Sequence, residues 1–322
     1  MNLIIQPDAG VVPVVQAINK AKQRVDIAIF RSDRKEIGKA LAAAVQRGAH
    51  VRVLVAHTNR GGEARLRKLE QRMLEVGLTV TRTGDDFIRY HGKYLLVDQT
   101  LHVYAFNFTT ADMAKSRSFG VSTRDAAAVR EASALFEADC TRQPFAPKRS
   151  PLVVSPETSR EQLMTFIKGA RKELLIYDVN IQDPACTKLL KQRAAAGVQV
   201  RVIGKVKQLK GSDPIDVRPL RTMRLHARVI IRDGSRAFVG SMSLRRPELD
   251  QRREVGLLIS NASVARKLRE VFEQDWTDSA TRKEEVAEEP AAKDEAVNEK
   301  DKGKDKGKDK EKDKDVVARK SA

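Results

Sequence analysis

Cysteine is scarce in this chain. The two present, Cys140 and Cys186, stand far apart and neither has a CxxC partner. A disulfide framework and a thiolate zinc site are therefore excluded. Free thiols in a reducing compartment are expected, with a single bridge as the lesser alternative. Aromatic residues make up 5% of the chain and tryptophan occurs once. No strand is rich enough in them to offer a stacking platform for bases. No apolar run approaches the length of a membrane-spanning helix. Between Met1 and Val15 an early acid, Asp8, and no basic stretch accompany the short apolar segment. No signal peptide is expected, and the cytoplasm is the expected compartment, with a peripheral membrane contact left open. His, Asp and Glu nowhere cluster at metal-ligand spacing, so neither metal nor other cofactor is expected.

Charge, by contrast, is abundant. The 322 residues carry a formal net charge of +18. From Ala280 onward the composition is low in complexity and almost free of large apolar side chains. Such a segment cannot offset its ordering entropy, and residues 280–322 are expected to be disordered. They hold 13 basic and 13 acidic residues. The whole excess therefore belongs to residues 1–279, a basic body suited to anionic partners such as nucleic acid or an anionic lipid surface.

The remainder repeats itself. Leu3-Ile4-Ile5-Gln6-Pro7-Asp8 matches Leu152-Val153-Val154-Ser155-Pro156-Glu157, and Arg47 to Val53 matches Ala196 to Val202, both at an offset of 149. Later matches, His91 with His226 and Phe136 to Thr141 with Phe272 to Thr277, fall at offsets of 135 and 136. The first half thus holds about 14 extra residues, placed most naturally between Arg60 and Val76, a stretch with helical periodicity and many cations. Solvation of that helix is the plain reading of Arg60, Arg65, Arg67, Lys68 and Arg72; contact with a substrate backbone is the other. Each half reads strand, helix, strand, helix, strand. The first helices cover Val12–Lys22 and Arg160–Ala170, the latter capped by Thr158-Ser159, and the second helices stop at Gly48 and Gly197. The pattern predicts an α/β fold: two tandem α/β/α lobes, each a mixed sheet flanked by helices, over residues 1–148 and 149–279. His50, His57 and His102 have no partner motif and read as surface or core residues. Phe272 and Trp276, four apart on the last helix, read as core.

The repeated element that carries chemistry is HxKxxxxD. It appears as His91-Gly92-Lys93 through Asp98, and again as His226-Ala227-Arg228 through Asp233 with Arg for Lys. Residues two apart on a strand share a face, so each His projects beside a cation. Two neighbouring cations oppose each other's protonation unless an anion sits between them. One such motif is weak evidence; two at matched places in a duplication are strong.

With its two HxKxxxxD-type motifs, one per half, residues 1–279 resemble the phospholipase D superfamily. Gly240-Ser241-Met242-Ser243 follows the family's Gly-Ser pattern in the second half, with Ser243 where Asn is usual. Tyr104 to Thr109 keeps Asn107 without the Gly-Ser. The family's downstream carboxylate, which orients a histidine, matches Glu254, assigned here to His226, whereas Ser118 occupies that place in the first half. The resemblance implies a metal-independent double displacement at phosphorus. His91 would be the nucleophile and His226 the acid and base, the reverse staying open because the one visible carboxylate falls with His226. Lys93, Arg228, Asn107 and Ser243 would hold the non-bridging oxygens. Asp98 and Asp233 would anchor strand ends. Both motifs lie in one chain, so a monomer is expected. Three functions follow: a phospholipase D-like phosphodiesterase acting on a phospholipid, the leading one; a nuclease on the same scaffold; and a non-catalytic anion-binding protein with a degenerate site. Cardiolipin synthesis is disfavoured, because members performing it usually carry N-terminal membrane spans.

Overall fold

The computed structural model describes residues 1–58 and 62–281. Arg60, and the disorder expected over residues 282–322, lie outside that range. In the first half the elements run β1 (Asn2–Gln6), α1 (Val12–Asn19), β2 (Arg24–Ile29), α2 (Lys35–Gln46), β3 (His50–Val55) and α3 (Glu63–Leu74). They continue with β4 (Thr79–Arg82), β5 (Tyr94–Val97), β6 (Thr100–Tyr104), α4 (Thr110–Ala114), β7 (Ser116–Thr123) and α5 (Ala126–Thr141). The second half repeats the plan with β8 (Leu152–Ser155), α6 (Ser159–Lys168), β9 (Glu173–Ile181), α7 (Pro184–Ala195), β10 (Gln199–Val206) and β11 (Ile215–Arg218). It ends with β12 (Arg224–Leu225), β13 (Arg228–Arg232), β14 (Arg236–Gly240), α8 (Arg246–Asp250), β15 (Glu254–Ile259) and α9 (Ala262–Thr281).

The two sheets have the same order, β4-β3-β2-β5-β6-β7-β1 and β11-β10-β9-β13-β14-β15-β8. In each, the first three strands are parallel and the rest antiparallel, which makes the mixed sheet the alternating pattern called for. The one large difference is α3, which has no counterpart helix between β10 and β11. It accounts for the extra length of the first half. One detail differs from expectation. Thr158 sits at the N-cap of α6 without capping it; its hydroxyl accepts from the Val154 backbone N–H instead. Gly48 and Gly197 do end their helices in the left-handed region, at φ +87° and +86°, which glycine adopts without steric cost.

Three apolar clusters hold this frame. One packs β2, β3 and β5 under α1 and α2; another packs β9, β10 and β13 under α6 and α7. The third lies between the sheets and takes residues from both halves, including Tyr94, Phe119, Phe136, Tyr177, Phe238's neighbour Val239, and Phe272. Phe272 and Trp276 are buried there with rings stacked at 5.7 Å.

Buried charge also crosses between the halves, twice and in matching places. Arg117 on β7 pairs with Asp275 on α9 through two bonds of 2.8 and 2.9 Å. Arg253, just before β15, pairs with Asp139 on α5 at 3.2 Å and with Glu157. Burial pushes the Asp139 carboxyl up to about 6, against the pull of Arg253. Breaking such a pair strands a charge in the interior, at a cost of about 3–5 kcal/mol. Asp275→Ala should therefore lower unfolding stability by roughly that amount in urea titration, because Arg117 is left unpaired. Adding Arg117→Met should recover most of the loss; failure to recover would show that the pair is not what joins these elements.

Candidate active site

The site forms where the ends of interior strands of the two sheets, β7 and β15, meet the segments leading into β13 and β5 of the opposite half. The His91 N–H donates to the Arg253 carbonyl at 2.7 Å, and the His226 N–H donates to the Arg117 carbonyl at 3.0 Å. Strand β12 adds to β7 in the same exchange. Each HxK segment is thereby pinned to the strand of the opposite half that leads into the downstream position. Glu254 consequently meets His91, not the His226 of its own half. Its two oxygens lie 2.8 and 3.0 Å from His91 Nδ1. The assignment of Glu254 to His226 is corrected on this geometry. Ser241, from the Gly-Ser pair, donates its hydroxyl to Glu254 at 2.5 Å and fixes the carboxylate from behind.

The carboxylate facing His226 is Asp112, on α4, with Oδ2 3.1 Å from Nδ1. Sequence reasoning missed it. Ser118 does occupy the place equivalent to Glu254, but its hydroxyl donates to the His226 carbonyl at 2.8 Å and leaves the ring to Asp112. A signal existed: Asp112 follows Asn107 by five residues, as Glu248 follows Ser243. Both acids accept the backbone N–H of that residue, at 2.8 and 2.6 Å. Asp112 serves His226 in addition, and also accepts from Arg224 at 2.6 Å.

His91, Lys93, His226 and Arg228 are all buried. Lys93 donates to the His91 carbonyl at 2.8 Å, and Arg228 Nε donates to Ser243 Oγ at 3.2 Å. Burial, then the charges of Lys93 and Arg228, hold His91 well below the usual imidazole range. Burial lowers His226 to about 4, although Asp112 opposes it. Burial likewise brings Lys93 down to about 7. Asp112 is pushed up by burial, yet His226, the Asn107 N–H and Arg224 outweigh this and keep it below the normal carboxylate range. Burial raises Glu254, against Lys93. Two donor-rich cations thus share a poorly hydrated chamber with two neutral imidazoles.

Arg228 Nη1 is buried without a partner, and so is Asn107 Oδ1. Each such atom costs about 1–3 kcal/mol unless a ligand satisfies it. The Asn107 amide nitrogen is already engaged by Asp112 at 2.7 Å. The ring of Phe30 closes one wall, edge-on to His91 at 4.8 Å. Asp98 and Asp233 stand apart from the chamber. Asp98 accepts the backbone N–H groups of Lys22, Gln23 and Arg24, each at 3.0 Å. Asp233 accepts those of Arg171, Lys172 and Glu173, and both acids have φ near +50°. Among the described residues, no group of three or more His, Cys, Asp or Glu could hold a metal ion.

A match to the family described as "Cardiolipin synthase, PLD-like domain" covers residues 14–140 and 163–276, well over half of the chain and both HxK segments. The chain belongs to the phospholipase D superfamily. Among solved structures, the polyphosphate kinase of Porphyromonas gingivalis is 20% identical with a TM-score of 0.72, over 85% of this chain and 50% of its own. The phosphatidylserine synthase of Haemophilus influenzae is 12% identical with a TM-score of 0.63, over 86% and 85%. At these identities the likeness is one of fold. This chain spans half the length of the kinase. No curated protein matches it in sequence. Among the described residues no helix is long and apolar enough to cross a membrane.

As a phospholipase D-type site, the chamber should take up protons with its anion. An oxyanion between Lys93 and Arg228 cancels the charges that depress the imidazoles, so His226 rises from about 4 on binding. At about pH 6 the free ring is neutral and the bound one gains a proton, with Lys93 contributing little because it is already mostly charged there. Calorimetry of tungstate binding in buffers of different ionisation enthalpy should report an uptake approaching one proton, reduced in His226→Asn. A buffer-independent enthalpy would contradict it.

Proposed function

We propose that this protein is a metal-independent phosphodiesterase of the phospholipase D type that works through a phosphohistidine, with a phospholipid as substrate. The observation that carries this reading is the pair of crossed histidine–carboxylate contacts, His91 with Glu254 and His226 with Asp112, in one buried chamber with Lys93 and Arg228.

The two contacts differ, and the difference divides the labour. Glu254 is fully buried and hydrogen-bonded by Ser241, so its charge is directed at His91. It holds the proton on Nδ1 and leaves the Nε2 lone pair to attack phosphorus. Asp112 is shared with Arg224 and Asn107, which cancels part of its pull on His226. Asp112 nevertheless favours a proton on His226, the state from which one can be given. In the first step His91 Nε2 bonds to phosphorus while the ester oxygen leaves and takes a proton from His226. In the second, neutral His226 removes a proton from water or an alcohol, whose oxygen displaces His91. Arg228 Nη1 and Lys93 Nζ stabilise the charge that grows on the non-bridging oxygens. Ser243 Oγ accepts from Arg228 Nε and so retains its own hydrogen to donate.

A phospholipid is favoured by the description of the matched family and by the phosphatidyl chemistry named for the Haemophilus neighbour. The basic body, +18 overall, favours a nuclease as the second reading. The test is turnover in EDTA of a chromogenic phosphodiester, phosphatidyl lipid in vesicles, single- and double-stranded DNA, and polyphosphate. His91→Ala and His226→Ala should each lower the rate by at least about a thousandfold. With the chromogenic diester, whose leaving group needs no proton, the His226→Ala enzyme should trap the phosphoryl ester on His91, read as an acid-labile, base-stable label. Fastest cleavage of DNA would replace the lipid reading, and full activity in both variants would remove the site.

A further inference from the structure

The extra helix α3 does more than lengthen the first half. It packs beside α2 and leaves a cavity of about 350 Å³ between them, a volume within the range of small-ligand sites. The second half has no counterpart, because it has no helix after β10. The floor is apolar: Ile29, Ile37, Leu41, Met73 and Leu78. Val76 at the lip is 43% exposed, and its neighbour Leu74, outside the cavity, is 57% exposed. These are among the few large apolar side chains the fold leaves in water, and they stand together. Around the opening lie Lys35, Lys39 and Arg72, with Arg34 already paired with Glu36 at 2.6 Å, against a single lining acid, Asp33. Asp33 is occupied in accepting from Thr110. An apolar slot ringed by an excess of cations matches one kind of ligand, an anionic amphiphile. A second cavity among the described residues differs in kind: it is built around Arg253, which Asp139 and Glu157 already neutralise.

We propose that the groove between α2 and α3 docks the protein on an anionic phospholipid bilayer, taking an acyl chain into the slot while Lys35, Lys39 and Arg72 meet the headgroup phosphates. It rests on the phospholipid reading of the active site, which it deepens by supplying the route to the substrate's surface. The groove is lined by Ile29 and by Ser32 to Lys35, on either side of Phe30, the ring that walls His91. Docking at this face brings the lipid surface to the same end of β2 as the catalytic chamber. Apolar contact of a few side chains, combined with a basic patch, is the combination that gives stable but reversible membrane binding.

The experiment is co-sedimentation of the full chain with phosphatidylglycerol vesicles and with phosphatidylcholine vesicles. The wild type should bind the former and not the latter. Two neutral changes, Leu69→Gln with Val76→Asn, should weaken binding at least tenfold without altering net charge. Lys35→Glu with Lys39→Glu, both at exposed positions, should do the same and guards against a folding defect in the first variant. Turnover of the soluble chromogenic phosphodiester should be unchanged in both, and His91→Ala should lose turnover while keeping vesicle binding. If His91→Ala loses nothing while the groove variants lose vesicle binding, the active-site reading fails and the groove stands. If vesicle binding is absent, or persists unchanged in the neutral variant, the docking proposal is overturned whatever the active site does.

Discussion

Two backbone hydrogen bonds govern this molecule: His91 N–H to the Arg253 carbonyl, and His226 N–H to the Arg117 carbonyl. Each ties the catalytic segment of one half to the strand of the other. From them follow the crossing of Glu254 to His91, the joining of β12 to β7 and the nearness of the two histidines. The buried pairs Arg117–Asp275 and Arg253–Asp139 are made by the side chains of the same two arginines whose carbonyls accept these bonds, and they make the docking hard to loosen. Neither half holds a complete histidine–carboxylate couple with its own residues at Glu254's position. The duplication is therefore a working unit only when closed on itself.

Within that symmetric frame the chemistry is unsymmetric. The second half keeps Ser241 and Glu254; the first has Ala105 and Ser118 at those places and draws on Asp112 instead. Tyr104 stands where the second half has Gly240. Its ring lies so close over Gly120 that an added Cβ there would come within 2.8 Å of it. The side chain that displaced the Gly-Ser pair therefore has a structural use: it fills the core above α1 and α2 beside Phe106 and Phe108. A carboxylate reached from α4 carries other obligations, to Asn107 and Arg224. Divergence of packing in one half thus becomes a difference in how the two rings are held.

The sequence made the frame plain because every signal for it is local or periodic. Strand and helix alternation, the offset of 149, and the shift that marks α3 needed no knowledge of how the halves meet. Glu254 was legible as a carboxylate in the right place, yet its partner was not. It sits 163 residues from His91 and 28 from His226, and sequence order favours the nearer one. Only the docking of the two sheets reverses that choice. Asp112 was hidden differently. Its match with Glu248 crosses an Asp-to-Glu change on a five-residue helix, and the second half's Glu248 points to backbone, so the repeat hides a catalytic-site acid behind a structural one. The cap at Thr158 failed for a smaller reason: a hydroxyl there can reach back to Val154 as easily as forward into the helix.

The buried chamber is marked by which of its polar atoms are engaged and which are not. Lys93 and Arg228 are each restrained by a partner of their own half, the His91 carbonyl and Ser243, so neither cation is free to swing away from the histidines. Among the buried atoms left unsatisfied beside them are Asn107 Oδ1, His226 Nδ1 and, as the charged donor, Arg228 Nη1. A lysine there would present one mobile ammonium; the guanidinium offers a planar fork whose orientation is set through Nε. Burying such a group unpaired is tolerated when an anion normally completes it, and a tetrahedral phosphoryl group has an oxygen for each cation. The same anion offsets the cationic repulsion that adds to burial in keeping both imidazoles neutral. On the proposed mechanism, binding and the readiness of the acid are then one event: the charge that fills the site also favours the proton that His226 would give.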